Sequence, residues 1–513
     1  MLTPDYLFNV ADSVVDLYEE LNTFAIKDIC RRLVNTDFQI TGSASWQYRM
    51  LQEAGMSREE INKKIASLTN KSQKEVRQIF EDSSYKSYNA DISIYKAAGL
   101  TPLPFAQSPA MLQILQAMYE QTNGTLHNLT QTTADASQRL LINTLSAVQM
   151  RVSSGQQSYT QAIRQAVNQI AADGVKVQYK GMERNLESVV RMAVVTGINQ
   201  ASIRVQLHAA EQMECDTVLT TAHLGARIGE GYKGHVNWQG SIYSISGKMY
   251  PEEEKRIGQK VGNLYEDTGF GKVDGLGGAN CRHNVRPWII GHSSNPYVDE
   301  NRNPKIDTAE NEKLYEAQQG QRRRESNIRN TKRKLQALQT SIDASAETDV
   351  KNVLQQDYDK QALRLKKQQD EYKQYCTDND LRTKSERMQI AGYSQKEARQ
   401  AYQAAKRAEK ENTVVNAAGN SIIKVGKTTL KAAPNSITQT VNKNGSVNRN
   451  YYGATGKQVK QISNNNHSTP KNHPWGINGE HAHDYVYDSE GNLVDRPGRE
   501  LTETERKENS DIL

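Results

Sequence analysis

Oily residues are scarce in this chain. Only 36% of its 513 residues are hydrophobic, Phe occurs 6 times, and mean hydropathy is −0.77. No apolar run approaches the roughly 18–20 residues that a membrane-spanning helix needs, so no membrane span is expected. Cysteine is nearly absent too. Cys30, Cys215, Cys281 and Cys376 are the full set and lie far apart. That spacing excludes a disulfide framework and fits synthesis in a reducing host cytoplasm. The opening MLTPDYLFNVADSVVDLYEE carries acids and no basic leader region, so it does not read as a secretion signal. Charge of one sign does not dominate either. Lys and Arg number 65 against 59 Asp and Glu, a net charge of +6, which tolerates a nucleic-acid partner without demanding one.

What remains is polar and periodic. A chain of this length supports two to four domains. Residues 1–215 read mostly as helix. Leu7, Val10, Ala11, Val14, Leu17, Leu21, Phe24 and Ala25 keep the three-four spacing of one helical face. The stretch EAGMSREEINKKIASLTNKSQKEVRQIFEDSS reads as helix–turn–helix, with Gly55 as a C-cap and Ser57 and Glu60 as a capping box. A Pro-bearing turn at 100–109 precedes further helix to about Ala172. Another helix covers 185–214, where Gly197 is expected to weaken it.

From Asp216 the texture changes. Residues 216–291 are rich in glycine and short β-type runs, which predicts a small α+β module. Residues 292–304 form a polar linker. Residues 305–411 are charged, with a thin apolar seam, and read as a helical hairpin or coiled coil turning near 344–348. Residues 412–445 read as linker with a few short strands. Residues 446–513 read as a small, β-rich, His-rich module closed by a Thr502–Glu505 capping box. The expected class is therefore α+β, predominantly helical.

Four clusters could carry chemistry. His223, His235, Cys281 and His283 offer the nitrogen and sulfur ligands of a tetrahedral zinc site, which makes zinc the candidate cofactor. The spacing matches no finger motif, and the alternative is histidines bonded to backbone beside a small buried cysteine. A Cys281–His283 nucleophile–base couple lacks any marked oxyanion hole, and no catalytic residue is assigned. Arg227, Arg282 and Arg286 could serve phosphates or carboxylates of a partner, or fix loops internally. Arg322, Arg323, Arg324, Arg329, Lys332, Arg333 and Lys334 form a dense basic run that could meet the DNA backbone without sequence specificity, or be balanced by neighbouring acids. His467, His473, His481, His483 and Asp484 could hold a metal, act as the acid–base set of a nuclease-like or toxin-like effector, or sit in turns. GLGGAN lacks the strand–glycine–helix spacing of a nucleotide fingerprint.

Three elements of the middle module occur in order: TTAHLGAR (220–227), HVNWQG (235–240) and GANCRH (278–283). They resemble the phage minor capsid protein 2 family, a relative of the Mu F-like minor head and head morphogenesis proteins. The resemblance implies a structural virion protein of a tailed phage or prophage. Its partners would be the portal and other capsid proteins, with a place in the virion head near packaged DNA and its ejection. The competing reading makes the chain a carrier for a C-terminal effector.

Overall fold

Apolar residues at three-four spacing bury one helix face each, and in this chain that face recurs for hundreds of residues. A computed structural model describes residues 2–36, 38, 43–179, 181–411, 413–416 and 418–513. The chain divides into two compact units, Met1–Ala398 and Arg399–Leu513. Helix dominates and the strands form several small sheets, as the composition predicts.

The first unit begins with α1 (Pro4–Asn9) and α2 (Asp12–Asn35). The continuous stripe expected over residues 7–25 is therefore broken at Val10–Ala11. The long helices α3 (Ser43–Ala97) and α4 (Pro109–Ser153) follow, then α5 (Tyr159–Asp173), the hairpin β1 (Lys176–Tyr179) and β2 (Met182–Asn185), and α6 (Leu186–Gln212). The expected helix–turn–helix around Gly55 is instead one uninterrupted helix. The Ser57 hydroxyl does not cap it. It is buried and donates to Asp28 Oδ2 at 2.5 Å. Local capping grammar loses here because α2 supplies a better acceptor.

Helix α2 packs against α3, α4, α5 and α6. So central a helix must also bury polar groups, and the charged and amide groups among them find partners. Arg32 is held by Asp28 at 3.0 Å and Glu53 at 2.8 Å. Asn22 donates to Glu187 Oε1 at 2.6 Å. The fit between α6, α3 and α4 is close: a Cβ on Gly197 would stand 2.1 Å from Thr122 Oγ1 and 3.0 Å from Phe80 Cζ. Gly197 is therefore a point of contact rather than of weakness.

The middle module has β3 (Thr217–Thr220), β4 (Ile242–Ser244), α7 (Pro251–Ile257), β5 (Gly262–Asn263), α8 (Leu264–Thr268) and β6 (Val285–Pro287). Its sheet runs β5-β4-β3-β6. Strand β3 is antiparallel to β4 and β6, and β4 is parallel to β5. Adjacent residues of β3 face opposite ways. Val218 joins Ile203 of α6, Trp238, Tyr243, Leu264, Leu276, Cys281 and Val285. Leu219 joins Ile242, Val261 and Trp288. One face of the module is thus completed by α6.

The unit ends with the hairpin α9 (Thr308–Ala344) and α10 (Thr348–Asp378), which turns where the sequence predicts. Helix α9 docks on α2 and α5. Arg333 reaches from α9 to Glu19 of α2 and Glu187 of α6, each at 3.0 Å. Burial raises the Glu19 carboxyl to about 7, with Arg333 opposing.

Helix α11 (Gln395–Glu411) leads into the second unit. Asn412, where the sequence places the start of a linker, lies outside the described residues. The stretch read as linker contributes β7 (Thr413–Val415), β8 (Ser421–Lys424) and β9 (Ile437–Val441) to a seven-stranded sheet. The others are β10 (Val447–Tyr452), β11 (Gln458–Ser463) and β12 (His481–Asp484). The hairpin β13 (Val486–Tyr487) and β14 (Leu493–Asp495) precedes the last sheet strand, β15 (Gly498–Arg499). The order is β15-β12-β11-β10-β9-β8-β7, antiparallel except for β8 on β9. Helix α12 (Glu503–Glu508) closes the unit with the expected Thr502–Glu505 capping box. Its apolar core is small: Ile462, Ala482 and Leu501. Polar bonds compensate. The fully buried Arg449 donates to Gln439, Asn509 and Asp511.

Removing one member of a buried ion network leaves the others uncompensated, at a cost of about 3–5 kcal/mol. Arg333→Ala is accordingly expected to destabilise the first unit by that amount in chemical denaturation. A loss below about 1 kcal/mol would show that α9 docks without this contact.

Candidate metal centre of the middle module

The segment between β3 and β4 and the segment before β6 converge beside α6. The turn after β3 carries His223, and a short 3₁₀ turn carries His235. The loop before β6 carries Cys281 and His283. Ligating atoms of His235, Cys281 and His283 all lie within 4.8 Å of one another, and all three residues are buried. The His223 ring stacks on His283 with centroids 4.3 Å apart. The structure thus brings His235, Cys281 and His283 into one set of possible ligands and places His223 against it through the His283 ring.

Each imidazole has one nitrogen fixed by a protein oxygen. His223 Nδ1 faces the Leu224 carbonyl at 2.9 Å, His235 Nε2 faces the Asp274 carbonyl at 3.0 Å, and His283 Nε2 faces Gln239 Oε1 at 3.0 Å. With those nitrogens as donors, the opposite nitrogens are lone pairs. His223 Nε2 is buried and has no hydrogen-bond partner. His283 Nδ1 lies 3.7 Å from Cys281 Sγ. This is the pattern of metal-ligating histidines, whose second nitrogen is oriented by an outer acceptor.

Electrostatics keep the rings neutral. Burial pushes His223 and His235 down to about 4, with Arg282 adding to the effect on His223 and Arg227 to that on His235. His283 lies well below its usual value for the same reason, its imidazole neighbours adding to it. Burial raises the Cys281 thiol, opposed by the charges of Arg227 and Arg282. A metal ion would decide that balance for the thiolate.

A cavity of 220 Å³ adjoins the cluster, lined by His223, His235, His283, Arg227, Arg282 and Arg322 among others. Arg227 is used internally, donating to the carbonyls of Asp274 at 3.2 Å and Ala279 at 2.7 Å. Arg286 lies 3.9 Å from Asp91. Burial lowers Arg282 to about 10, and the neighbouring Arg322 adds to it.

Sequence reasoning missed the residues that hold the ligands in place. Asn199 of α6 donates to the carbonyls of Cys281 at 3.1 Å and His283 at 2.9 Å. Asn284 donates to Asn199 Oδ1 and Ser202 Oγ. Gln239 Oε1 accepts from the His223 backbone as well as facing His283. Asn311 of α9 bonds both ways to the Ala226 backbone. The glycines divide into two kinds. Gly225, Gly240 and Gly277 have φ of +75°, +69° and +66°. Gly275 and Gly278 serve close approach instead, since a Cβ would sit 2.2 Å from the Gly269 carbonyl oxygen and 2.4 Å from that of Val273. Trp238 and Trp288 are core residues.

The basic run of α9 is largely turned inward. Arg324 lies over the Tyr375 ring at 3.6 Å, Arg329 donates to the Arg387 carbonyl, and Lys332 donates to that of Met388. Arg333 is buried, Arg322 and Lys334 are partly buried, and Arg323 alone of the seven is exposed. In the second unit, His467, His473, His481 and His483 lie together. Asp484 stands apart from them in function, taken by Arg499 at 2.6 Å.

Long packed helices beside a small His/Cys-centred module, with the basic run of α9 largely turned inward, have the build of a structural component. The chain belongs to the phage minor capsid protein 2 family: residues 2–377 match the family's model. That membership supports a structural role in a phage capsid, incorporation into the virion and contact with other phage structural proteins. No curated protein and no solved structure matches the chain. Among the described residues, no helix is long and apolar enough to cross a membrane.

Asn199→Ala would strand two buried carbonyls, at about 1–3 kcal/mol per unsatisfied group, and leave Asn284 Nδ2 with Ser202 Oγ alone. The expected result is a lower melting temperature of the first unit and faster modification of the Cys281 thiol by a disulfide reagent. Unchanged thiol protection would mean that α6 does not position the cluster.

Proposed function

We propose that the chain is a minor head protein held at the portal or the inner face of the head, with its His/Cys module stapled by one zinc-class ion. The family match over 2–377 carries the first part. The second rests on three oriented neutral imidazoles and a buried thiol. The ion's role is structural: it would tie the loop before β6 to the turn that carries His235, beside the module's two apolar clusters, and a closed ligand set adds folding energy directly. Attachment works through protein contacts rather than DNA, since six of the seven basic residues of α9 are drawn at least partly into the fold. The effector reading is supported by one separate observation, that a compact unit with four clustered histidines lies beyond the matched residues. Loss of host killing in His481→Ala and His483→Ala chains would favour it.

Two measurements test the main reading. The chain co-expressed with the portal protein of its phage should co-purify with it in a complex that survives salt, as phosphate-driven binding to DNA would not. Absence of a complex would remove the portal assignment. Elemental analysis should find about one zinc in this module, lost in Cys281→Ser. Unchanged metal content in that variant would reduce Cys281 to a packing residue.

A further inference from the structure

The second unit has histidines enough for a site of its own. Residues 481 and 483 alternate along β12 and so share one face of the sheet. Ala482 between them faces the apolar cluster with Ile462 and Leu501. His481 Nδ1 faces the Gly479 carbonyl at 2.8 Å, which fixes it as the donor and leaves Nε2 as a lone pair. That Nε2 lies 3.1 Å from His483 Nε2. Two nitrogens bound to one tetrahedral zinc at 2.0–2.1 Å stand about 3.3 Å apart. The buried Nδ1 of His483 makes no hydrogen bond of full geometry, although the Arg496 backbone acts on it as an acceptor.

His467 completes the set. Its ligating nitrogen lies within 4.8 Å of those of His481 and His483, and its Nε2 is buried without a hydrogen-bond partner. The ring is delivered by two successive left-handed residues, His467 at φ +51° and Ser468 at φ +62°. Such backbone is strained for any residue other than glycine. His473 stacks on His481 with ring centroids 4.0 Å apart, and its Nδ1 is engaged by Thr469 Oγ1 at 3.1 Å. Across the sheet from His483 stands Gly498, where a Cβ would crowd the His483 ring at 3.3 Å and Trp475 at 3.5 Å.

We propose that His467, His481 and His483 bind one divalent transition-metal ion of the zinc class, with an open coordination position. Three imidazoles and no carboxylate select such an ion over magnesium or calcium. The two acids that flank the pair in sequence are engaged elsewhere: Asp484 by Arg499, and Glu480 by the backbone and side-chain amides of Asn478. A cavity of 430 Å³ reaches this set at His467 and is lined also by Arg496, Tyr485, Gln458 and Gln461. Arg496 is held there by Gln461 Oε1 at 2.8 Å. Its charge opposes a bare cation and favours an anionic oxygen ligand on the metal, as three-His sites with a free position accept. The site lies outside the residues that match the capsid family, and it stands whether or not the middle module holds metal.

Cobalt(II) distinguishes the two centres, because a thiolate ligand adds a sulfur-to-metal charge-transfer band and a three-imidazole set does not. The full, untagged chain, stripped with a chelator and titrated with cobalt, should bind a second equivalent without that band. This equivalent should persist in Cys281→Ser, and His481→Gln should abolish it. His467→Gln, in a half-buried turn outside the sheet, should weaken it at least about tenfold while the far-ultraviolet circular dichroism stays unchanged. Failure of Cys281→Ser to bind any cobalt would overturn the proposal. So would undiminished binding in a folded His467→Gln chain. Loss of the charge-transfer band alone bears only on the middle module.

Discussion

The first unit depends on a buried polar spine that starts in α6. Asn199 holds the carbonyls of Cys281 and His283, Asn284 holds Asn199 and Ser202, and Ser202 bonds Ser87 of α3 at 2.6 Å. Gln206, one turn further, reaches Ser87 and Asp91. Buried groups of this kind are costly unless every member is satisfied. The spine therefore fixes three things together: the height of the loop before β6, the rotation of α6, and the register of α3. Apolar packing alone, in a chain with so few large apolar residues, would leave these free to slide.

The same economy explains the histidines. The chain has 10, and seven of them sit in two clusters, at 223, 235 and 283 and at 467, 473, 481 and 483. Burial lowers the proton affinity of His223, His235 and His283 in the first cluster and of His467, His481 and His483 in the second. In both, a backbone or amide oxygen fixes one nitrogen of several rings, and the second nitrogen either has no hydrogen-bond partner, as in His223, or faces another candidate ligand, as in His283 and His481. Core histidines satisfied by hydrogen bonds would use both nitrogens. Rings held in place with one nitrogen left over are arranged for a ligand that supplies the missing partner.

Much of this was legible in the sequence, and the failures have physical causes. The helical class, the hairpin turn at 344–348 and the Thr502–Glu505 cap follow from periodicity and local chemistry. The His/Cys quartet was visible because those residue types are rare in the chain. Ser57 misled because a serine followed by an acid at the third position caps a helix only where the helix ends, and here a buried Asp28 claimed its hydroxyl. Gly197 misled because the cost of glycine in a helix is intrinsic, whereas its benefit lies on Thr122 and Phe80, some 75 to 117 positions away in sequence. The few short strands expected in residues 412–445 are present as β7, β8 and β9, but strands such as β8, which bury a single residue, carry no signal of the sheet they join. Asn199 and Gln239 gave no signal at all: an amide inside a helix or loop acquires a role only from what it meets.

The two units solve their shortage of apolar residues differently, and this bears on what each can be. The first spreads its burial over long helices and inserts salt-bridged pairs such as Arg333 with Glu19 and Glu187 where the helices meet. Such a body resists local opening, as an assembly component requires. The second has an apolar cluster of three fully enclosed residues and otherwise relies on Arg449, Asn450, Gln458 and Glu505 hydrogen-bonded across the sheet. A sheet held by directional bonds keeps polar side chains at fixed positions on its face, and those positions can be spent on ligands. The left-handed backbone at His467 is a cost that the sheet does not itself require, and the glycine at 498 leaves room for the His483 ring. They become intelligible when the object built on that face is the three-histidine site, with the sheet as its support.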